Sequence, residues 1–370
     1  MKIVVCGLSI SSAWGNGHAM LLRGLFRALH GEGHEVHFFE RDTPYYAQHR
    51  DTTRFPYVEL HLYSDWQEIL TLVKRHVSDA DAAIVTSYCP DGVSACELVI
   101  NSSVPCAVFY DMDAPVTLSR LAKGEAVEYI PADGLGGFDL VLSYTGGEAL
   151  RQLRERLHAR QVAPLYGWVD PEVHHPVQPV ADWAADLSYL GTYAADRQQA
   201  LEDLFLQPAR QLAGKRFLIG GPMYPNTNAW PTNVTYRAHV GPAEHPAFYC
   251  SSRLTLNITR GTMAAMGYCP SGRLFEAAAC GCPVLSDWWT GLDEFFAPGE
   301  EILIARSSGE SIAAISQDAG RLKQVGQRAR EHALDCHTAE IRAREVIRLI
   351  EASASGGAEI ERRDYACEGA

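Results

Sequence analysis

The sequence has no long hydrophobic run. Although 47% of its 370 residues are hydrophobic, no apolar stretch approaches the roughly 20 residues that a membrane-spanning helix needs. The N-terminal segment MKIVVCGLS has too few apolar residues before its glycine to form the core of a signal peptide. We therefore expect a cytoplasmic protein without a membrane span.

Basic residues are also scarce relative to acidic ones. The chain has 32 Lys and Arg against 45 Asp and Glu, which gives a formal net charge of −13. Proteins that bind nucleic acid neutralise phosphates with basic side chains, so this balance argues against DNA or RNA as a main partner. A local basic pocket for one small phosphate group is compatible with it.

Two common site motifs are missing. The ten cysteines include no C-x-x-C pair, and most lie in apolar runs such as KIVVCG and AAACGCPVL, so we expect reduced, buried thiols. The first glycine loop does not match G-x-G-x-x-G, because Gly7 stands eight residues before Gly15 and position 20 is Met. A nicotinamide-dinucleotide site is therefore poorly matched.

What the sequence does have is an alternation of short apolar runs and helical patterns. KIVVCG, at residues 2–7, has the continuous apolar pattern of a strand buried on both faces, and a one-sided apolar helix follows it. Strand and helix alternation predicts a parallel sheet with right-handed crossovers. The alternation restarts after residues 169–180, whose three prolines and lack of periodicity predict a linker.

Length and alternation together predict an α/β fold with two doubly wound Rossmann-like domains that face a central cleft. The predicted N-terminal domain spans residues 1–168, and the C-terminal domain spans residues 181–340 after the linker. Residues 341–370 are predicted to form a helix, able to pack back on the N-terminal domain, and a loose tail. Ligands of open parallel sheets bind beyond the carboxyl ends of the strands, so the loops at those ends are the candidate sites.

Two such loops in the N-terminal half include the candidate catalytic residues, His18 and Asp113. Gly15, Asn16, Gly17 and His18 stand at a helix start, where glycine lets backbone amides approach a phosphate or sugar and the helix favours negative charge. An ordinary glycine turn is the alternative. Asp113 follows a strand in VFYDMDAP and could act as a general base or bind a sugar hydroxyl, or it could be a turn residue.

A third loop, YLGTYAADRQQA, resembles a diphosphate clamp. Gly191 and Thr192 end a strand, and Arg197 stands near the start of a helix predicted from about residue 196 to 213. This arrangement offers backbone amide donors and a planar guanidinium for a bidentate contact. A surface arginine beside a tight turn is the alternative.

The fourth loop begins the stretch SGRLFEAAACGCPVLSD, residues 271–287. Ser271 is predicted to cap a helix whose first turn contains Gly272 and Arg273, and the arginine's charge opposes the helix dipole unless an anion lies nearby. Glu276 follows on the same face, so a weak Arg273–Glu276 pair is one interpretation. A nucleotide site is the other, because a diphosphate and a ribose require amides, a guanidinium and a carboxylate.

The stretch SGRLFEAAACGCPVLSDWWTGLDEFFAPGEEILIA resembles the C-terminal signature of GT-B glycosyltransferases, most closely the spore-maturation CgeB-like group related to glycosyltransferase family 4. GNGHAMLLRGLFRALHGEGHEVHFFE, FYDMDAPVTL, LYGWVDPEVHHPV and YLGTYAADRQQAL fall in the expected order, so the resemblance covers about residues 1–305. It implies transfer of a sugar from a nucleotide-diphosphate-sugar donor, without metal or cofactor, to an acceptor held mainly by the N-terminal domain. The acceptor class, whether small molecule, glycan or protein, is left open, as is an oligomeric state.

By position in these motifs, the resemblance also implies roles for individual residues. Glu276 would bind the donor ribose, and Arg273 and Arg197 would neutralise the leaving diphosphate. Gly17 would close over the donor from the other domain. Amides or a hydroxyl for the donor phosphates would come from Gly191, Thr192, Ser271 and Gly272.

The sequence departs from this family at one position. Family 4 enzymes that retain the anomeric configuration often have two glutamates eight positions apart, but the partner position of Glu276 is Tyr268. Two other functions fit the same fold: a sugar-nucleotide epimerase, which would need no acceptor, and a non-catalytic nucleotide or glycan binder. The aromatic loops at 41–57 and 220–231 are candidate walls of an acceptor pocket.

Overall fold

The computed structural model describes residues 1–355, and their contacts divide them into two units. The first unit comprises residues 1–166 and the helix that starts at Ala339, and the second comprises residues 167–338. Within the described range, no helix combines the length and the apolar character needed to cross a membrane. Most of the predicted loose tail lies outside the described residues.

The first unit alternates strands and helices from its first residues. Its apolar strands are nearly all fully buried, as expected for a parallel sheet covered on both faces. The elements are β1 Lys2–Gly7, α1 Gly17–Gly31, β2 Glu35–Arg41, α2 Pro44–Gln48, β3 Glu59–Tyr63, α3 Trp66–Ser78, β4 Ala82–Thr86, α4 Gly92–Ile100, β5 Cys106–Asp111, α5 Ala114–Ala122, β6 Leu140–Ser143, α6 Glu148–Leu157 and β7 Val162–Pro164.

The second unit repeats this pattern with shorter strands, and the last described helix belongs to the first unit. Its elements are β8 Leu187–Leu190, α7 Gln198–Leu201, α8 Gln207–Gln211, β9 Phe217–Gly220, β10 Val234–Arg237, α9 His245–Cys250, β11 Thr255–Asn257, α10 Gly261–Met266, α11 Gly272–Ala279, β12 Val284–Ser286, β13 Leu303–Ile304, α12 Ser308–Ile315 and α13 Ala319–Cys336, followed by α14 Ala339–Ala354.

Both sheets are parallel in all their described strand pairs, and the six strands of the second sheet repeat the order of the first six strands of the first. The first sheet runs β3-β2-β1-β4-β5-β6-β7 and the second runs β10-β9-β8-β11-β12-β13. In each sheet, the first three strands along the chain are added towards one edge and the later strands towards the other. The order therefore reverses between β1 and β4 in the first sheet, and between β8 and β11 in the second. This is the doubly wound Rossmann topology, whose ligand sites lie at the reversal. The prediction of two such domains is confirmed.

Each unit has its own apolar core. Phe39, Phe109 and Phe138 are fully buried in the core of the first unit, and Phe205 and Phe217 are fully buried in that of the second. Among the described residues, eight cysteines have free thiols, and all of these except Cys250 are buried. The cores therefore include most of these thiols as small apolar groups.

The final helix and the stretch predicted as a linker both pack within a unit. Helix α14 packs against α1, and Arg342 donates a hydrogen bond of 3.2 Å to the carbonyl of Tyr166. Residues 169–180 belong to the second unit, where the Val169 amide donates to the His337 carbonyl at 2.9 Å and His174 is buried. This stretch contributes to the site described next.

Candidate functional site

Helix α11 starts where the sequence predicts, and its first turn holds a guanidinium in place. The Ser271 hydroxyl caps the helix by accepting the Arg273 amide at 3.4 Å. Arg273 donates to Asn257 Oδ1 at 2.9 Å, and its guanidinium carbon lies 5.2 Å from the centre of the Tyr189 ring. Because Tyr189 and Asn257 lie on β8 and β11, the guanidinium is fixed at the reversal of strand order.

The backbone of Gly191 lies directly beside this guanidinium. A Cβ atom at Gly191 would lie 3.0 Å from Arg273 Nη2 and 2.8 Å from the Tyr189 hydroxyl. Only glycine leaves both groups where they are. The loop after β8 and the start of α11, separate in the sequence, therefore form one surface.

Arg197 places a second guanidinium in the same pocket. It donates to the Thr192 carbonyl, and its Nε is shielded from solvent without a hydrogen-bond partner among the described residues. Burial lowers the pKa of Arg197, and the charge of Arg273 lowers it further, although Tyr189 acts in the opposite direction. Two cations that repel each other in a half-buried pocket are the arrangement expected of an anion site.

Among the described residues, Arg273 and Glu276 do not form the weak intrahelical ion pair that their spacing permits. Arg273 binds Asn257 instead, and Glu276 accepts a hydrogen bond from the Tyr249 hydroxyl at 3.3 Å. Among the described residues, neither Arg197 nor Arg273 has an ion pair with a carboxylate. Their positive charge is available to a ligand.

Two histidines that the sequence analysis did not select lie beside Glu276. Ligating atoms of His174, His245 and Glu276 all lie within 4.8 Å of one another. Burial alone would raise the pKa of Glu276, but His174, His245, Arg273 and the Tyr249 hydroxyl together lower it below its ordinary value. Glu276 is therefore an ionised acceptor at neutral pH.

The histidines themselves are kept neutral by their surroundings. Burial lowers the pKa of both His174 and His245, although Glu276 opposes this shift. Both ring nitrogens of His174 are shielded and have no hydrogen-bond partner among the described residues. In the sequence, His174 stands in PEVHHP, inside the predicted linker, and His245 stands in AEHPAF, and neither stretch has a recognised site motif.

Tyr268, at the position where the resembling family has a glutamate, adopts an uncommon backbone conformation. Its φ angle is +48°, a left-handed value that is rare for a tyrosine. The ring packs so closely on Gly291 that a Cβ there would lie 2.6 Å from it. The tyrosine is thus built into the loop before α11, and a glutamate could not make the same ring contact.

In the first unit, a buried carboxylate organises the glycine loop. Glu40, at the end of β2, accepts hydrogen bonds from the Ser9 hydroxyl at 2.8 Å, the Ile10 amide at 2.7 Å and the Ser11 amide at 3.0 Å. The loop leads to Gly17, the first residue of α1, where the space for a Cβ is empty. The backbone at this helix start is therefore open to a close approach.

The two candidate catalytic residues meet at the carboxyl edge of the same sheet. His18 Nε2 lies 3.0 Å from Asp113 Oδ2, and both side chains are largely buried. Asp113 immediately precedes α5, but its carboxylate makes no capping hydrogen bond and is free to hold the imidazole. The other ring nitrogen, His18 Nδ1, is shielded and has no hydrogen-bond partner among the described residues. Asp113 is therefore both the residue at the turn before α5 and the hydrogen-bond partner of His18.

A second carboxyl group lies beneath this pair. Asp111 is fully buried and accepts the Asp113 amide at 3.0 Å. Burial raises the pKa of Asp111 to about 7, in spite of the opposing effects of Thr117, the Asp113 amide and His18. Asp111 therefore fixes the backbone of Asp113 and changes charge near neutral pH.

The structure thus brings the predicted site residues together in two sets. Gly17, His18 and Asp113 lie in the first unit. The second unit holds the larger set, at the reversal of its sheet: Gly191, Thr192, Arg197, Ser271, Gly272, Arg273 and Glu276.

Comparison with known proteins gives this arrangement a class. Residues 197–348 match the sequence profile of a family described as glycosyl transferase-like. No curated protein matches the chain. The matched region includes Arg197, Arg273 and Glu276.

Solved structures share the fold along nearly the whole chain. Sucrose-phosphate synthase from Thermosynechococcus elongatus is 15% identical, with a TM-score of 0.68 over 96% of this chain and 100% of that protein. Alr3699/HepE of Anabaena, solved with UDP-glucose, is 13% identical, with a TM-score of 0.64 over 95% and 100%. An α-glucosyltransferase solved with UDP is 12% identical, with a TM-score of 0.64 over 95% and 100%, and was also solved with DNA.

These similarities define the fold as that of GT-B glycosyltransferases, as the sequence motifs predict.

Proposed function

We propose that the protein transfers a sugar from a nucleoside-diphosphate donor, bound by the second unit, to an acceptor hydroxyl. The observation that supports this most strongly is the pair of guanidiniums, Arg197 and Arg273, which share a pocket and lack an ion pair with any described residue. In glycosyl transfer, negative charge grows on the departing phosphate while the sugar becomes oxocarbenium-like. Fixed cations at that position lower the barrier.

Each predicted donor contact has a place in this proposal. The guanidiniums neutralise the diphosphate, and the Gly272 amide approaches it at the helix start. The Gly191 amide, expected from the sequence to donate to the phosphates, already donates to the Gly220 carbonyl at 2.8 Å. Gly191 therefore contributes the space beside Arg273 rather than a donor. Thr192 and Ser271 flank the same surface. Glu276, ionised at neutral pH, accepts hydrogen bonds from the ribose hydroxyls. The contact of Gly17 with the donor stays a prediction.

We assign general-base catalysis to the His18–Asp113 pair. The imidazole takes the proton of the acceptor hydroxyl as the new C–O bond forms and the bond from the sugar to the phosphate breaks. Asp113, hydrogen-bonded to Nε2, orients the ring and stabilises its protonated form. Because Nδ1 is shielded, the ring or the turn at Gly15–Gly17 must move when an acceptor binds.

UDP is the first nucleotide to test, because two of the similar structures were solved with UDP or UDP-glucose. We also propose that transfer is metal-independent, since the two guanidiniums supply the positive charge that a cation would supply. Membership of the CgeB-like group and a cytoplasmic location complete the proposal. A DNA acceptor, present in one similar structure, is disfavoured by the net charge of −13.

The first experiment is a thermal-shift screen of the whole chain with UDP, GDP, TDP, ADP and CMP. One nucleotide should raise the melting temperature by a few degrees, because a ligand at 100 times its Kd stabilises the native state by about 2.7 kcal/mol. Arg273→Ala and Glu276→Ala should abolish the shift. Arg210→Ala is the matched control, since Arg210 pairs with Glu202 on the surface of the same unit.

An undiminished shift in both site variants would overturn the assignment of the donor site. Incubation of the selected nucleotide sugar without acceptor then separates the alternatives: an epimer as product indicates an epimerase. Binding without turnover across an acceptor panel indicates a binding protein.

A further inference from the structure

Two neighbouring strands of the first unit repeat one short motif that the proposed transfer does not use. Strand β2 begins Glu35-Val36-His37, and strand β3 begins Glu59-Leu60-His61. Residues two apart in a strand point to the same face of the sheet. The parallel register pairs His37 with Glu59 and Phe39 with His61, so the two motifs lie next to each other on one face.

The side chains of this motif cluster tightly. His37 Nδ1 lies 3.2 Å from His61 Nε2 and 3.4 Å from Glu59 Oε2, and His61 Nε2 lies 3.6 Å from Glu59 Oε1. Zinc bonds of about 2.0–2.2 Å to nitrogen and oxygen place neighbouring ligands of a tetrahedral ion about 3.3 Å apart. The spacing between the two imidazole nitrogens, and that from each of them to one of the two Glu59 oxygens, are close to this value.

A third imidazole comes from helix α3. One ligating nitrogen from each of His37, His61 and His76 lies within 4.8 Å of the other two. The His76 ring centre is 4.3 Å from that of His37 and 5.0 Å from that of His61. His76 Nδ1 is shielded from solvent and has no hydrogen-bond partner among the described residues.

An outer carboxylate orients the most buried ring. The side chain of His37 is 3% exposed, and its Nε2 atom lies 2.5 Å from Glu35 Oε1. When Nε2–H donates to this carboxylate, Nδ1 is left unprotonated and faces the cluster. Metal-binding histidines are commonly oriented by a carboxylate in this way.

We propose that His37, His61, His76 and Glu59 bind one Zn²⁺ ion. Imidazole and carboxylate ligands without thiolate suit this ion, and a rotation of the His76 side chain completes four ligands. The exposed side chains of Glu35 and Glu59 leave the cluster open to ions from solvent.

The ion would have a structural role. His37 and His61 lie in the amino-terminal parts of their strands, whereas His18 and Asp113 lie at the carboxyl edge of the sheet. Strand β3 is an edge strand paired on one side by β2. A shared ion would tie β3 and α3 to β2. This structural role does not depend on the proposed sugar transfer.

The test is equilibrium dialysis of the metal-free full chain against ZnCl₂, with bound zinc measured by elemental analysis. Wild type should bind one equivalent at this site, and His61→Gln should lose it. Glu35→Gln should weaken binding by about 10- to 100-fold, since outer-shell carboxylates typically contribute that much. A visible spectrum of the Co²⁺-loaded protein should report tetrahedral coordination that His61→Gln abolishes.

The controls are His30→Gln, on the exposed end of α1, and His245→Gln, in the other histidine cluster. Both should keep the zinc at this site. Circular dichroism of the metal-free variants checks their folding. If His61→Gln fails to fold, Glu59→Gln replaces it, because that side chain is exposed. No zinc binding by wild type, or zinc lost in His245→Gln and kept in His61→Gln, would overturn the proposal.

Discussion

His18 and Asp113 stand 95 residues apart in the chain, and a hydrogen bond of 3.0 Å joins them. Each was predicted from its own loop, because both loops follow strands of a parallel sheet and carboxyl ends of such strands share one edge. The bond itself was not predictable, since it depends on the order β1-β4-β5 within the sheet. That order places the start of α1 near the start of α5.

Replacement of His18 tests the catalytic assignment at the scale of one residue. His18→Gln should slow nucleotide release from the selected nucleotide sugar by about 100- to 10,000-fold, the usual contribution of a general base. Asp113→Asn should also slow it, while nucleotide binding stays unchanged in both variants. The rate is measured with water or an identified acceptor, and His30→Gln is the control. Wild-type rates in both variants would remove the pair from the mechanism.

The donor residues show the same division between what sequence predicts and what it does not. Ser271 and Arg273 were predicted because a helix start has a recognisable pattern. The partners of Arg273, Tyr189 and Asn257, come from two other strands. His174 lies in a proline-rich stretch whose composition predicts a linker, and composition gives no sign that a stretch will fold beside Glu276.

At the scale of elements, a proline changes one predicted helix. The helix expected from about 196 to 213 contains a π-helical segment, Glu202–Leu206, between α7 and α8. Pro208 has no N–H to donate to the Leu204 carbonyl four residues earlier. The Ser311 hydroxyl of α12 satisfies this carbonyl instead, at 2.7 Å. The substitute donor lies 107 residues away, which is why the local pattern could not show it.

The loop after β8 provides the test at this scale. Gly191→Ala places a methyl group 3.0 Å from Arg273 Nη2 and 2.8 Å from the Tyr189 hydroxyl oxygen, so it should displace the guanidinium and weaken nucleotide binding by at least tenfold. That loss corresponds to about 1.4 kcal/mol. Isothermal titration with the selected nucleotide measures it.

Gly214→Ala is the matched control in the same unit, because no atom lies within 4 Å of a Cβ there. Its affinity should equal that of wild type. Equal affinities in Gly191→Ala and wild type would show that the β8 loop and Arg273 do not act as one surface.

At the scale of the whole molecule, the repeated architecture was the most predictable feature. Continuous apolar strands alternating with helices permit few arrangements other than covered parallel sheets, and the restart near residue 181 predicts the second sheet. The assignment of α14 to the first unit depends on packing against α1, which periodicity alone does not specify. In a chain of net charge −13, the guanidiniums of Arg197 and Arg273, which have no carboxylate partner among the described residues, form a local basic site suited to an anion.

Hydrogen exchange of the whole chain, with and without the nucleotide selected by the screen, tests the central claim most directly. We expect slower exchange in peptides that cover residues 187–197 and 271–280, because the diphosphate and ribose would contact those segments. Peptides that cover β2 and β3 should exchange as before. Protection confined to the first unit, or no protection at 271–280 at saturating nucleotide, would contradict the claim that the second unit binds the sugar donor.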